Sequence, residues 1–222
     1  MQVTKKVIKS SINLQAAQPN GLSSGKDATT LSQAAQKQLL LDKLYEPFKN
    51  CTQCPLGTLG RSKVVFGSGN PNARLLFVGE APGRDEDAQG LPFVGRAGQL
   101  LTKIIEAMGL ARSDVYIANV VKCRPPENRA PTPLESGTCK DLMLYKQIDI
   151  INPIIICTLG SIATQGLLGP TVAISKVRGT FQHYKNYLVV PTFHPAYLLR
   201  NPEAKKYVWD DVQKIMAKLK EV

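Results

Sequence analysis

The stretch "IIICTLGSIATQGLL", residues 154–168, decides the fold. Ile154 to Gly160 is a continuous apolar run without polar alternation, as expected of a strand buried on both faces. Ser161 to Leu168 then reads as a short helix. A doubly buried strand that feeds a helix belongs to a largely parallel sheet with helices on both sides. The same unit recurs outward along the chain. Strands are expected at Lys63 to Phe66, Arg74 to Gly79, Val115 to Val120 and Tyr187 to Pro195. Helices are expected over Ser32 to Asn50, Ala97 to Met108, Leu134 to Ile148 and Glu203 to Lys220. In the first helix the spacing of Leu39, Leu40, Lys43, Leu44 and Phe48 suggests an amphipathic face. In the last, Tyr207, Val208, Val212, Ile215, Met216 and Leu219 form one apolar face.

With 222 residues the chain can bury a core on both faces of one sheet, and its 43% hydrophobic content is that of a globular domain. No apolar run approaches the roughly 20 residues of a membrane span. The first residues also lack a secretory h-region. A cytoplasmic, intracellular protein without a membrane partner is the expectation. Lysine and arginine number 28 against 17 acidic residues, a net charge of +11, which suits a polyanionic partner. Met1 to Leu31 is polar, carries lysines and lacks periodicity, and reads as a flexible basic tail ahead of one domain, residues 32–222.

Ligand sites in such sheets lie beyond the carboxyl ends of the strands. Three segments fall there: Gly79 to Phe93, Asn119 to Cys123 and Thr192 to Arg200. The nucleotide loops GxxxxGK[ST] and GxGxxG are absent, as are a GxSxG elbow and an HExxH zinc site. Of five cysteines, Cys157 lies mid-strand and reads as an inert core thiol. Cys51 and Cys54 form a CxxC, whereas Cys123 and Cys139 are separated by a Pro-rich loop. Four thiolates can hold zinc or an iron–sulfur cluster. The wide second spacing favours a [4Fe–4S] cubane, with structural zinc as the alternative.

The segments "GEAPGRDEDAQGLPFVGRAGQLL", "NVVKCRPPENRAP" and "PTFHPAYLLR" resemble the three signatures of the family 4 uracil-DNA glycosylases, and the cysteine order is similar to that family's ligand set. The resemblance runs from about Leu39 to the C-terminus. It implies a three-layer α/β/α fold around a four-stranded, mainly parallel sheet and a [4Fe–4S] cluster on Cys51, Cys54, Cys123 and Cys139. The implied activity is monofunctional removal of uracil from single- or double-stranded DNA in base-excision repair, by a monomer.

It also implies roles for residues. Gly79, Ala81, Glu86, Phe93 and Asn119 would bind uracil: Phe93 by stacking, Asn119 by reading its edge, and Glu86 by closing the side that thymine's methyl would enter. Neutral His194 would donate to uracil O2. Laid over the Gly-Gln-Asp-Pro-Tyr segment of family 1 enzymes, Gly79 to Gly83 puts Ala81 where the water-activating Asp stands. Leaving-group stabilisation by His194 therefore carries more of the rate, and Glu80 orders the water or the loop. Leu198 or Leu199 would wedge into the vacated stack. Arg200, Lys122 and Arg124 are phosphate-contact candidates. His183 matches no motif and is expected in solvent. "QLLLDKLY", residues 38–45, loosely fits a sliding-clamp-binding pattern, although its leucines are better explained as a helix face.

Overall fold

The computed structural model describes residues Leu31 to Glu221; the basic tail expected over residues 1–31 lies outside them except for Leu31. Six strands form one mixed sheet: β1 (Ser68–Gly69), β2 (Leu75–Gly79), β3 (Tyr116–Asn119), β4 (Ile155–Leu159), β5 (Gln182–Tyr184) and β6 (Tyr187–Thr192). Their order is β1-β3-β2-β4-β6-β5. The four inner strands are parallel, with Gly79 opposite Asn119, Phe77 opposite Cys157 and Leu159 opposite Thr192. The two outer strands are antiparallel.

Side chains alternate across this sheet, so each strand feeds two cores. Leu76, Val78, Tyr116, Ala118, Ile156 and Val189 face one; Leu75, Phe77, Ile117, Ile155, Cys157 and Val190 face the other. The helices are α1 (Gln33–Tyr45), α2 (Arg84–Gln89), α3 (Arg96–Ala107), α4 (Pro133–Cys139), α5 (Tyr145–Ile151), α6 (Ser161–Leu168), α7 (Ile174–Val177), α8 (Pro195–Arg200) and α9 (Lys205–Glu221). Residues of α1, α4, α5 and α6 complete the first core, and those of α3, α8 and α9 the second. The result is three layers, with a sheet of six strands rather than four. No helix among the described residues is long and apolar enough to cross a membrane.

Several expectations need correction. Lys63 to Phe66 is not a strand. Val64, Val65 and Phe66 are buried, but Val65 N–H donates to the Lys122 carbonyl outside any ladder, and the edge pairing falls to Ser68–Gly69. The helix expected over Leu134 to Ile148 divides into α4, a π-helical turn over Lys140–Leu144, and α5. In α1 the core face is Leu41, Leu44 and Tyr45, with Phe48 in the turn that follows, while Leu39 and Leu40 are 48% and 50% exposed. In α9 Tyr207 is exposed, and the buried face includes Asp211, which accepts from Arg178 Nη2 at 2.7 Å and from Thr192 Oγ1 at 2.6 Å.

Candidate active site

β2 and β3 run side by side, yet β2's other neighbour is β4, so the strand order reverses at β2 and leaves a crevice beyond the strand ends. A cavity of about 470 Å³ lies there, lined by residues of all three signature segments, among them Glu80, Glu86, Phe93, Asn119, His194 and Arg200.

Gly79 ends β2 against the two groups expected to hold a base. A Cβ on it would lie 2.4 Å from Asn119 Oδ1 and 2.5 Å from Phe93 Cζ, so no side chain fits there. Asn119 is buried and its Oδ1 has no hydrogen-bond partner in the protein. A buried amide oxygen without a partner is costly unless a ligand supplies one.

Phe93 sits with φ at +53°, a conformation rare for an aromatic residue, within hydrogen bonds that span its loop. Arg112 donates to the Pro92 carbonyl, and Glu86 Oε1 accepts from Val94 and Gly95 N–H at 2.9 Å. The other Glu86 oxygen accepts from Gly83 N–H at 3.1 Å. One carboxylate thus fastens the turn after β2 to the Phe93 loop. Asp87 is likewise turned inward, accepting from Ser62 and Lys63 N–H. Asp85 stays half exposed near Arg84.

His194 caps α8. Its Nδ1 accepts from Ala196 N–H at 3.1 Å, and its ring centre lies 5.6 Å from that of Phe93. Burial, with help from the positive charge of Arg200, pulls its pKa down to about 4. The imidazole is therefore neutral at pH 7, with its proton on Nε2. Half-buried Glu80 has its pKa raised by burial. Ala81 also lines the cavity.

The structure corrects two DNA-contact expectations. Lys122 is 0% exposed, donates through Nζ to the Asn119 carbonyl, and cannot reach a phosphate. Leu198 is a core residue at 1% exposure, while Leu199 is 40% exposed. Arg124 is half-buried and holds Asn128 Oδ1 at 2.8 Å, Arg200 is exposed on the cavity rim, and His183 is exposed on β5. Sequence reasoning missed Pro125, Asn128, Arg129, Ala196 and Tyr197 as lining residues. All five lie inside the quoted signatures, which was the available signal.

The cysteines converge. Cys51, Cys123 and Cys139 share one buried cluster with Cys54 packed against it, and the four interact electrostatically. Burial pushes the Cys54 thiol up, Cys123 to about 11 and Cys139 to about 12. Among the described residues no three His, Cys, Asp or Glu side chains meet closely enough to hold one metal ion. Two cationic residues stand near this thiol set. Arg61 acts on Cys123 while its Nη1 is buried without a hydrogen-bond partner, and Lys122 acts on Cys139. Buried cations need anions nearby. Four thiols spread around one region and facing two cations fit an anionic multi-atom group. Cys157 is fully buried in β4, apart from this set, as an inert thiol.

Residues 66–215 match the model of the uracil DNA glycosylase superfamily. Among relatives, the type-4 uracil-DNA glycosylase of Thermotoga maritima is 48% identical over 188 residues, covering 83% of this chain and 97% of that protein. Type-4 enzymes of Sulfurisphaera tokodaii and Archaeoglobus fulgidus are 45% and 42% identical, each over 79% of this chain and over 83% and 91% of their own. The chain belongs to the type-4 uracil-DNA glycosylases. Within that family frame, the three signatures form one cavity wall and the cysteines a separate group behind β3. Residues 125 and 128–129, between Cys123 and Cys139, reach the cavity, so the two sites share a loop.

Proposed function

We propose that the chain removes uracil from DNA by hydrolysing its N-glycosidic bond, leaving an abasic site for base-excision repair. The observation that carries this reading is the buried, unpartnered Asn119 Oδ1 beside Phe93 and His194 in one cavity. Flipping the base out costs a few kcal/mol. Stacking on Phe93 offsets on the order of 1–3 kcal/mol of that. The Asn119 amide accepts from uracil N3–H through Oδ1 and donates to O4. Glu86, fastened at three backbone N–H groups, forms the wall that excludes a methyl at C5.

As the bond between C1′ and N1 lengthens, negative charge spreads over the departing uracil and His194 Nε2–H donates to O2. One such preorganised donor contributes about 2.7–4 kcal/mol. Water adds its oxygen to C1′ and releases a proton to solvent, while uracil leaves with the bonding pair as an N1 anion that solvent then protonates. Glu80 on the cavity wall orders that water. Leu199 fills the vacated stack, and Arg200 and Arg124 hold phosphates.

The donor set supports a [4Fe–4S] cluster on Cys51, Cys54, Cys123 and Cys139 over structural zinc, whose bonds of about 2.3 Å would require the thiols to meet at one point. Bound there, the cluster would supply cross-linking of the segments that carry the cysteines. DNA is the partner this site demands. For the sliding-clamp reading of residues 38–45, exposed Leu39 and Leu40 are the support, and Leu41 is committed to the core. We read the enzyme as a monomer acting on DNA inside the cell.

The test is release of free uracil from single-stranded and U·G duplex oligonucleotides by wild type, Asn119→Ala and His194→Ala. Both variants should lose at least about 100-fold in rate, as removal of one charge-stabilising donor does, while DNA affinity stays within about two-fold. Wild type loaded with iron and releasing no uracil would sink the proposal.

A further inference from the structure

Lys122 is the one lysine whose side chain is fully buried among the described residues. Its Nζ lies 2.8 Å from the Asn119 carbonyl and 6.0 Å from the Phe66 ring centre. No carboxylate among the described residues stands within ion-pair distance. Its own backbone N–H donates to Cys139 Sγ at 3.3 Å, and its chain neighbour is Cys123. An ammonium buried on one carbonyl is expensive, and an apolar residue of similar volume would cost less. The feature therefore needs a reason other than stability.

Geometry supplies one. Asn119 stands three residues before Lys122, at the end of β3, and reads the base with its side chain. Rotation of its peptide plane would swing that side chain, and the Lys122 ammonium holds the plane by its oxygen. A second tie runs through the loop between Cys123 and Cys139. Arg129 on the cavity rim makes a two-pronged pair with Glu135, at 2.9 and 2.7 Å. Glu135 also accepts from Thr132 N–H and so caps α4, the helix that ends at Cys139.

We propose that Lys122 is a positioning residue that couples the cysteine site to the uracil reader: its side chain clamps the Asn119 carbonyl while its main chain is tied to Cys139. Holding the cysteines in place thereby holds the base-reading amide in register, which gives a hydrolase a use for a cluster without electron transfer. The inference rests on Asn119 being the uracil reader.

The experiment compares wild type with Lys122→Met, which keeps the stem and removes the donor, on preparations matched for iron per protein. Calorimetric binding of free uracil is the primary readout, with kcat and KM for uracil release, visible cluster absorption and melting temperature alongside. The expected result is uracil binding about ten-fold weaker, the size of one lost charged hydrogen bond, with absorption unchanged. Arg61→Met, which faces Cys123 and not Asn119, should bind uracil as wild type does once loaded with iron. Wild-type uracil affinity in Lys122→Met would overturn the proposal, as would equal weakening in Arg61→Met. Should Lys122→Met fail to fold, amide exchange on wild type before and after iron chelation decides. Faster exchange in residues 116–121 upholds the coupling, and change confined to residues 51–57 overturns it. Failure of the glycosylase reading would show differently, as absence of uracil release by wild type itself.

Discussion

His194 has Nε2 left as its donor because Nδ1 accepts from Ala196 N–H. That single bond fixes the tautomer, and burial fixes the charge state, so the residue stays a neutral donor through the physiological range. The sign of the pH effect follows. An unfolded histidine takes up its proton near 6.5 and the folded His194 only near 4, so stability falls as pH drops between those values. The pH dependence of kcat/KM for uracil release should likewise keep its acid limb near 4 and not near 6.5, and the limb should persist in Glu80→Gln. A limb that vanishes in Glu80→Gln would assign the titration to Glu80, whose pKa burial raises. At this scale the sequence was partly legible. Asn119, Phe93 and His194 stood out by motif and strand end. Lys122 misled because lysine is almost never fully buried, so a basic residue beside a DNA site reads as a phosphate contact. Leu198 and Leu199 could not be separated, because which of them faces the core depends on how α8 packs against α3 and α9.

The acidic turn after β2 shows how elements build the cavity. Its carboxylates looked misplaced on a DNA-facing surface, yet Glu86 and Asp87 turn inward and bind backbone N–H groups of three separate segments. They tie α2 to the strand before it and to the loop that carries Phe93. Helix α3 then supports that loop from below. A Cβ on Gly98 would lie 1.9 Å from the Phe93 carbonyl oxygen, contact with rigid backbone that cannot give way. Gly98→Ala should therefore displace Phe93, destabilise the fold by about 1–3 kcal/mol as overpacking does, and raise KM for uracil-DNA more than it lowers the melting temperature would suggest. Urea unfolding beside steady-state kinetics measures both, and unchanged KM would mean that Phe93 is not the stacking platform. The elements themselves were legible where burial dictates composition. β2 and β4 are continuous apolar runs and appeared at nearly their true bounds. β1 and β5 have two and three residues with little apolar content, too short to leave a pattern, so neither was expected, and the four strands that the resemblance implied fall short of the six observed. The break in the helix after Cys139 was also invisible, since a π-helical turn changes hydrogen bonding without changing residue type.

Over the whole molecule, charge and fold act at different ranges. A base reader such as the one proposed for the cavity acts within hydrogen-bond distance, whereas the net +11 acts on any polyanion at longer range. Residues 1–30 contribute four lysines and one aspartate, a net three positive charges. If these meet phosphates, deleting them should lower the slope of log affinity against log salt by up to roughly 3 on duplex DNA, since each contact contributes about 0.9. Affinity for undamaged DNA should fall most at low salt, where released counterions matter most. The single-turnover rate at saturating enzyme should not change, because the base-binding and catalytic residues proposed above all lie at or beyond Gly79. Fluorescence anisotropy across a salt series, beside single-turnover release, separates these terms. An unchanged slope would assign DNA attraction to the folded domain alone, with Arg200 on the cavity rim and Arg124 beside cavity-lining Pro125 as its first candidates. A slower single-turnover rate would instead bring the N-terminal segment into the reaction itself.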